Sequence, residues 1–235
     1  MIQPGQPDPA SKPASRRSVA ARDRVALRRA RTRRPMSLCL CDFDALYAPT
    51  VATWVRNDRE LLWLAPRTPP PLSASKVMAW GRDRSSRMLL WDAASATPVG
   101  YTELNEMPGE RDHLWIGHFL LAPHLRGRGL GKNFVRAVLA RGFLDFNARE
   151  VSLVVFPDNH PAIRAYECGG MKAVGREFKY FKESRTRHEF VRMSIRRTAY
   201  ERLIAAGEQP QRSILFIGDS ALLRSGPIRL PFQSS

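Results

Sequence analysis

Residues 120–143 read LLAPHLRGRGLGKNFVRAVLARGF, and no other stretch constrains the fold as strongly. An apolar strand leads into a turn rich in Arg and Gly, and the turn opens directly into an amphipathic helix. Glycines allow such a turn to bring backbone N–H groups close to a ligand. The N-terminus of the helix adds unpaired N–H groups and the positive end of a dipole. The stretch therefore predicts a phosphate site, built on Gly127, Gly129 and Gly131 with positive charge from Arg126, Arg128 and Lys132.

Spacing separates this turn from two other phosphate-binding loops. A Walker loop needs G-x-x-x-x-G-K-[ST], but Arg126 stands at the first glycine and Asn133 at the Ser or Thr. A Rossmann fingerprint that starts at Gly127 has Lys132 where its third glycine belongs. By contrast, the arrangement R-x-x-G-x-G after a strand that ends in Leu-Ala-Pro resembles the pyrophosphate loop of the GCN5-related N-acetyltransferases.

A second stretch, residues 150–175, lies at the distance that this resemblance requires. It reads as a β-branched strand, a turn, a short helix and a Gly-Gly stop. Members of the superfamily carry N-x-x-A-x-x-x-Y at this place, followed by a glycine and an apolar residue. The chain supplies Asn159, Ala162, Tyr166, Gly170 and Met171. Because both motifs occur in the expected order, the segment 99–195 is identified as part of a member of this superfamily.

The resemblance implies an α/β fold of the α+β kind. Its central sheet is mixed and mostly antiparallel, is splayed between two parallel strands, and is flanked by helices. Local connections between successive strands also favour an antiparallel meander, and a strand-helix-strand crossover makes the strand after the helix parallel to its predecessor. The splayed strands are expected at His113 to Leu121 and at Val151 to Phe156.

Further elements follow from hydrophobic patterning and breakers. We expect a first strand at residues 37–42, a hairpin of 87–91 with 98–105, and a closing hairpin of 172–182 with 187–195. Helices are expected at 45–56, 57–64, 74–80, about 129–146 and 200–206.

The resemblance also implies the reaction. The chain is expected to transfer the acetyl group of acetyl-CoA directly to a primary amine, without a metal. The acceptor stays open between a small amine and a protein N-terminus or lysine. Val154 stands where ribosomal-protein alanine acetyltransferases have a catalytic Glu, which counts against that type. Homodimers are common in the superfamily and are an open expectation here.

The resemblance places the acetyl-CoA contacts on backbone groups as much as on side chains. Phe119, Leu120 and Leu121 are expected to bind the pantetheine arm and the acetyl carbonyl through their backbone. Asn159 is expected to contact the arm, or simply to cap its helix. The pyrophosphate contacts are expected at Arg126, Gly127, Arg128, Gly129, Leu130, Gly131 and Lys132.

Tyr166 is the expected general acid, because a phenol suits the protonation of a leaving thiolate. The base that deprotonates the amine is less well defined by the sequence. Glu103 is the first choice, Glu106 and His118 are alternatives, and a relay of water molecules is also open. His118 alternates with Gly117, so it is expected on the opposite sheet face unless the strand bulges.

The charge of the chain is strongly positive and unevenly distributed. The formal net charge is +16, and residues 1–35 hold ten Lys or Arg against two Asp. Such a balance attracts acidic partners, which include nucleic acid, the ribosome and CoA itself. The alternative function is therefore a catalytically idle CoA-binding protein, or one associated with nucleic acid or ribosome through its basic extension. Deletion of residues 1–35 would abolish that salt-dependent binding.

Composition and the positions of Pro and Gly divide the chain into three parts. Residues 1–35 are expected to be a disordered basic extension, 36–207 the acetyltransferase domain, and 208–235 a tail. Met36 is an alternative start, and the Arg-rich extension also resembles a transit peptide. The odd number of cysteines, three, favours free thiols in a reducing compartment, and no apolar run is long enough for a bilayer. We therefore expect a cytoplasmic protein with no membrane partner.

Overall fold

The computed structural model describes residues 36–81, 85–110, 112–182, 185–207 and 215–216. The predictions for the basic extension, and those for the tail apart from residues 215–216, lie outside the described residues.

The described strands form one sheet in the order β6-β7-β5-β4-β3-β2-β1-β8. Neighbours are antiparallel except for β4 with β5 and β1 with β8, which are parallel. This is the mixed, mostly antiparallel sheet that was expected. The strands are β1 (Leu38–Asp42), β2 (Ser85–Asp92), β3 (Thr97–Glu106), β4 (His113–Leu121), β5 (Glu150–Val155), β6 (Lys172–Phe181), β7 (Thr186–Arg196) and β8 (Leu215–Phe216).

Helices precede, connect and follow these strands. Asn57 and Ser73 cap α2 and α3 with side-chain oxygens that accept from Glu60 N–H and Lys76 N–H. No helix among the described residues is long and apolar enough to cross a membrane. The helices are α1 (Ala48–Ala52), α2 (Asp58–Leu64), α3 (Ala74–Met78), α4 (Leu130–Ala140), α5 (His160–Gly169) and α6 (Arg197–Ala205).

Two helix predictions need correction at their ends. The helix expected over 45–56 is a 3₁₀ turn, Ala45–Tyr47, followed by α1, which has Pro49 in its first turn. Proline lacks the N–H that would continue a hydrogen-bonded helix through this point. The helix expected to run to about residue 146 changes at Arg141–Asp145 into a π-helical turn. The remaining elements agree with their predictions to within a few residues at their ends.

The parallel strands β4 and β5 are paired only at their beginnings. His113, Leu114 and Trp115 pair with Glu150, Val151 and Ser152, and the pairing ends there. Both strands continue for several residues. The rest of each strand therefore faces a gap, which confirms the expected splay.

A β-bulge lies on the same stretch of β4. Tyr101 pairs with Leu120 and Glu103 pairs with Gly117, so Thr102 faces two residues, His118 and Phe119. His118 has φ of +42°, in the left-handed region that few side chains adopt. The extra residue changes the alternation of side chains along β4 at this point.

Helices cover both faces of the sheet. On one face, a Cβ at Gly100 of β3 would lie 2.8 Å from the Phe134 ring of α4, so glycine permits this close approach. On the other face, Arg87 of β2 donates to the Val77 carbonyl of α3. Cys39 and Cys41 are fully buried, and neither forms a disulfide within the described residues.

Candidate active site

The predicted phosphate turn has the backbone that its glycines suggested. Gly127 has φ of +70°, and Gly129 has φ of +79° and occupies the N-cap position of α4. No heavy atom lies within 4 Å of the point where either would carry a Cβ. The turn is therefore open, and the first N–H groups of α4 are directed toward it.

Arg126 anchors the turn instead of extending into it. Its Nε donates to the Leu121 carbonyl at 2.9 Å and its Nη2 to the Trp54 carbonyl at 2.6 Å. Its Nη1 lies 3.0 Å from Oε2 of Glu60. All the nitrogens of the guanidinium thus contact protein groups, and these contacts fix the turn against the segment between α1 and α2.

The other residues predicted to contact the pyrophosphate occupy different positions relative to the turn. Gly131 lies inside α4, and a Cβ there would be 3.0 Å from the Cβ of Ala165 on α5. Leu130 packs against the hydrophobic core, and Arg128 is exposed outside the cavity described next. Lys132 lines that cavity. The turn thus combines open backbone, a helix-packing glycine and a lysine.

One cavity of about 1410 Å³ joins the turn to the splayed strands. It extends between β4 and β5 to the face of the sheet covered by α2 and α3. Of the other predicted site residues, Glu106 is exposed at the end of β3 and lies outside the cavity. The lining includes the rest, namely Glu103, His118, Phe119, Leu120, Leu121, Arg126, Gly127, Gly129, Gly131, Lys132, Asn159 and Tyr166.

Two of these residues come from α5. Tyr166 is 7% exposed and packs edge-on against Phe119, with ring centroids 5.5 Å apart. Burial raises the pKa of its phenol, so it is protonated at neutral pH. Asn159 caps α5, because its Oδ1 accepts from Ala162 N–H at 3.4 Å, and it also lines the cavity. Both expectations for Asn159 are compatible with this position.

The bulge brings Glu103 and His118 together. Nδ1 of His118 lies 3.1 Å from Oε1 of Glu103. The two atoms are within ion-pair distance. The angles of the contact are not those of a regular hydrogen bond, and Nδ1 of His118 has no hydrogen-bond partner. Strict alternation would place His118 on the sheet face opposite to Gly117. The bulge overrides that alternation, and His118 reaches Glu103.

A chain of polar contacts holds Glu103 in place. Nε of Arg87 donates to the Tyr101 hydroxyl at 3.0 Å, and this hydroxyl donates to Oε1 of Glu103 at 2.6 Å. The Trp80 ring stacks on the His118 imidazole with 4.3 Å between centroids and 5° between planes. Sequence reasoning assigned no role to Arg87, and only tertiary contacts reveal it.

These contacts determine the ionisation of Glu103, which is 2% exposed. Burial acts to raise the pKa of its carboxyl. The contact with His118, the hydrogen bond from Tyr101 and the charge of Arg87 outweigh burial and lower the pKa. Glu103 is therefore a carboxylate at neutral pH, and a weaker base than an ordinary one.

Asn105 is a site residue that sequence reasoning missed. It is 4% exposed, lines the cavity, and has no hydrogen-bond partner for its Oδ1. A Cβ on Gly117 would lie 2.9 Å from Nδ2 of Asn105 and 3.2 Å from Oε2 of Glu103. The absence of a side chain at Gly117 thus makes room for both groups. Alternation along the predicted strand could have placed Asn105 beside Glu103.

A second chain of polar contacts closes the base of the gap. Nδ1 of His113 lies 2.6 Å from Oε2 of Glu110, and its Nε2 lies 2.8 Å from the Ser152 hydroxyl. His113 lies in the first and Ser152 in the last of the three residue pairs that join β4 and β5. These contacts hold the two strands together just before they separate.

The model of the acetyltransferase (GNAT) family matches residues 52–170, half of the chain. The chain belongs to this family. The match contains the predicted phosphate turn, both splayed strands and all of α5. The protein is therefore an acetyltransferase, as the sequence motifs indicated.

Solved structures of similar fold include two other acetyltransferases. A spermidine N-acetyltransferase from Vibrio cholerae, in complex with CoA and spermine, is 19% identical with a TM-score of 0.59, over 70% of this chain and 98% of that one. AAC(6')-Ib in complex with paromomycin and acetyl-CoA is 22% identical with a TM-score of 0.55, over 71% of this chain and 97% of that one. At these identities the similarity shows the fold of this acetyltransferase and not its acceptor.

Proposed function

We propose that the protein is an acetyl-CoA-dependent N-acetyltransferase that transfers the acetyl group directly to a primary amine. One observation carries the proposal: a single cavity contains the open phosphate turn, the gap between β4 and β5, and the Glu103–His118 pair. Direct transfer needs a bound thioester, a group that takes a proton from the amine, and a proton for the departing thiolate.

The cavity fits the shape of acetyl-CoA. The open turn at Gly127 and Gly129, with Lys132 beside it, suits the pyrophosphate. Beyond Trp115, the edge of β4 that faces β5 is unpaired and suits the pantetheine arm, which can add to a splayed strand as an extra strand would. Arg126 contributes by holding the turn in place, and Arg128 contributes positive charge at its rim.

His118 is the proposed base, and Glu103 is its positioning partner. The lowered pKa of Glu103 makes this carboxylate better suited to stabilising an imidazolium than to taking a proton. The Trp80 stack and the contact with Glu103 hold the ring at the bulge. In this scheme the acceptor ammonium gives its proton to the imidazole, and the neutral nitrogen attacks the thioester carbonyl.

Tyr166 is the proposed acid. Its buried phenol is protonated at neutral pH and lies beside Phe119 at the gap. Acetyl-CoA supplies the thioester, whose C–S bond breaks as the amide C–N bond forms. The phenol then gives its proton to the departing thiolate and regains one from the nitrogen of the new amide, and the imidazolium releases its proton to solvent.

Calorimetric titration of acetyl-CoA into the full chain tests the proposal, together with release of free CoA thiol in the presence of primary amines. Gly129→Asp and Gly129→Asn form a matched pair, since both residues tolerate positive φ and only Asp adds negative charge. We expect Asp to weaken acetyl-CoA binding about tenfold more than Asn. A folded wild type that does not bind acetyl-CoA, or that binds it and acetylates no amine, would contradict the proposal.

A further inference from the structure

The cavity that contains the reaction site is strongly cationic. Its lining has two acidic residues, Glu60 and Glu103, and both are engaged with protein partners. The basic residues of the lining are Arg56, Arg67, Lys76, Arg126, Lys132, Arg164, Lys179 and Arg192.

Four of these cations lie away from the phosphate turn. Arg67 and Lys76 belong to the segment from α2 to α3, and Lys179 and Arg192 belong to β6 and β7. We call Arg67, Lys76, Lys179 and Arg192 the cationic wall.

Strand register places the β-sheet part of the cationic wall on the face that carries Glu103. Glu103 pairs with Gly117, two residues from Trp115, and Trp115 pairs with Ser152. Two residues further along β5, Val154 pairs with Arg192. Because alternate residues share a face, Glu103 and Arg192 face the same side of the sheet. Lys179 also extends toward this side, with its Nζ 5.9 Å from the Trp115 ring centroid.

Protein carboxylates neutralise little of this charge. Lys179 and Arg192 share one carboxylate, Glu177, which leaves an excess positive charge there. Nζ of Lys76 donates to the Pro69 and Pro71 carbonyls, at 2.8 and 2.7 Å, and neutral carbonyls leave its charge intact.

Arg67 adds a further uncompensated charge. Its guanidinium lies over the Phe181 ring at 5.8 Å, and it forms no ion pair within the described part of the chain. An isolated positive wall in a partly desolvated cavity attracts anions and repels cations.

Asn105 supplies an independent indication that a ligand binds here. Its Oδ1 is buried and has no partner, although buried polar atoms are nearly always paired. An amide oxygen can accept from an N–H, and the amide group of Asn105 lies beside Glu103 over Gly117. The amine end of an acceptor would satisfy it.

We propose that the acceptor is a small primary amine that carries a carboxylate or a phosphate. Its nitrogen donates to Asn105 Oδ1 beside the Glu103–His118 pair, and its anionic group contacts the cationic wall. This inference rests on the proposed function and specifies its substrate class. Polyamines and other polycations are excluded by the charge of the wall.

Four amines of similar length test this preference in the full chain. They are γ-aminobutyrate, its carboxamide, diaminobutane and aminopropyl phosphate, which end in a carboxylate, a neutral amide, an ammonium and a phosphate. We expect kcat/KM for at least one of the two anions to be about tenfold higher than kcat/KM for the carboxamide. The difference from diaminobutane should be larger still. The ratio between the two anions identifies the anionic group.

The double variant Arg67→Gln, Lys179→Gln tests the wall itself. The ratio of interest is kcat/KM for the better anionic substrate divided by kcat/KM for the carboxamide. This ratio should fall about tenfold in the double variant. Arg176→Gln is the control. Arg176 lies on β6, as Lys179 does, but it is exposed, paired with Glu189 and outside the cavity. Thermal unfolding verifies that each variant is folded. An unchanged ratio in the double variant would overturn the role of the wall.

Other outcomes separate this inference from the proposed function. If the amide or diaminobutane is the best substrate, the inference is wrong and the N-acetyltransferase function stands. If acetyl-CoA binds but no amine releases CoA, the proposed function fails. In that case, binding of N-acetyl-γ-aminobutyrate and N-acetyl-diaminobutane in the presence of CoA still tests the anion preference.

Discussion

The Glu103 carboxylate and the His118 imidazole meet at the bulge of β4, with 3.1 Å between Oε1 and Nδ1. They lie 15 residues apart in the chain and on neighbouring strands, and the extra residue opposite Thr102 allows the contact. The pair lines the cavity that contains the phosphate turn.

His118→Ala should lower kcat by about 10² to 10⁴, because the group that takes the amine proton is lost. Glu103→Gln should lower kcat less, because the imidazolium loses its negative neighbour while the imidazole itself is still present. Steady-state rates of the two variants measure both effects. A Glu103→Gln variant with the kcat of the wild type would remove Glu103 from its positioning role.

Tyr166→Phe should lower kcat about a hundredfold and leave the affinity for acetyl-CoA nearly unchanged. The substitution removes the proton donor and keeps the aromatic contact with Phe119. Turnover and calorimetric titration measure the two quantities separately. Wild-type turnover in this variant would exclude Tyr166 as the acid, whereas a loss of acetyl-CoA affinity would indicate a binding role.

The packing of α4 on α5 predicts a stability order for three glycine substitutions. A Cβ at Gly169 would lie 2.3 Å from Val135, one at Gly131 would lie 3.0 Å from Ala165, and one at Gly175 would meet no atom within 4 Å. We expect Gly169→Ala to lower the free energy of unfolding most, by about 1–3 kcal/mol. Gly131→Ala should lower it less.

Gly175→Ala is the matched control for this series, because its φ lies outside the left-handed region and the space around it is open. It should unfold like the wild type. Urea denaturation measures all three variants. A Gly169→Ala variant as stable as Gly175→Ala would show that α4 and α5 are not in such close contact.

The lowered pKa of Glu60 predicts that its contribution to the free energy of unfolding depends on pH. Burial acts to raise its pKa, but hydrogen bonds from Arg56 and Arg126 and the charge of Arg126 lower it from 4.5 to about 2. Because the folded pKa is the lower one, the stabilisation is fully present above pH 4.5 and is lost as the pH falls toward 2. Glu60→Gln should therefore be less stable than the wild type at pH 7.

The difference in free energy of unfolding between wild type and Glu60→Gln should shrink as the pH falls from 4.5 toward 2. Comparing the two proteins at each pH cancels the contributions of other carboxylates, which include Glu103. Urea unfolding at several pH values gives this difference. A difference that does not vary with pH would mean that Glu60 is not held as a carboxylate by Arg126.

Local chemistry allowed the sequence alone to predict the backbone of the glycine turn and the positions of the strands along the chain. Gly127 and Gly129 adopt positive φ because the turn requires it, and neighbours in the chain decide this. Alternating and β-branched runs determine strands in the same local way. The motif with Asn159 and Tyr166 likewise needed only helical spacing to identify one face of α5.

Tertiary structure decided which groups meet in the cavity. The bulge turned His118 toward Glu103, and the contacts of Arg126 with Trp54 and Glu60 depend on a segment more than 60 residues earlier in the chain. Strand register also places Arg192 on the sheet face of Glu103, where Oδ1 of Asn105 has no hydrogen-bond partner. Register, bulges and long-range ion pairs depend on the packing of the whole sheet, so no local pattern in the sequence could specify them.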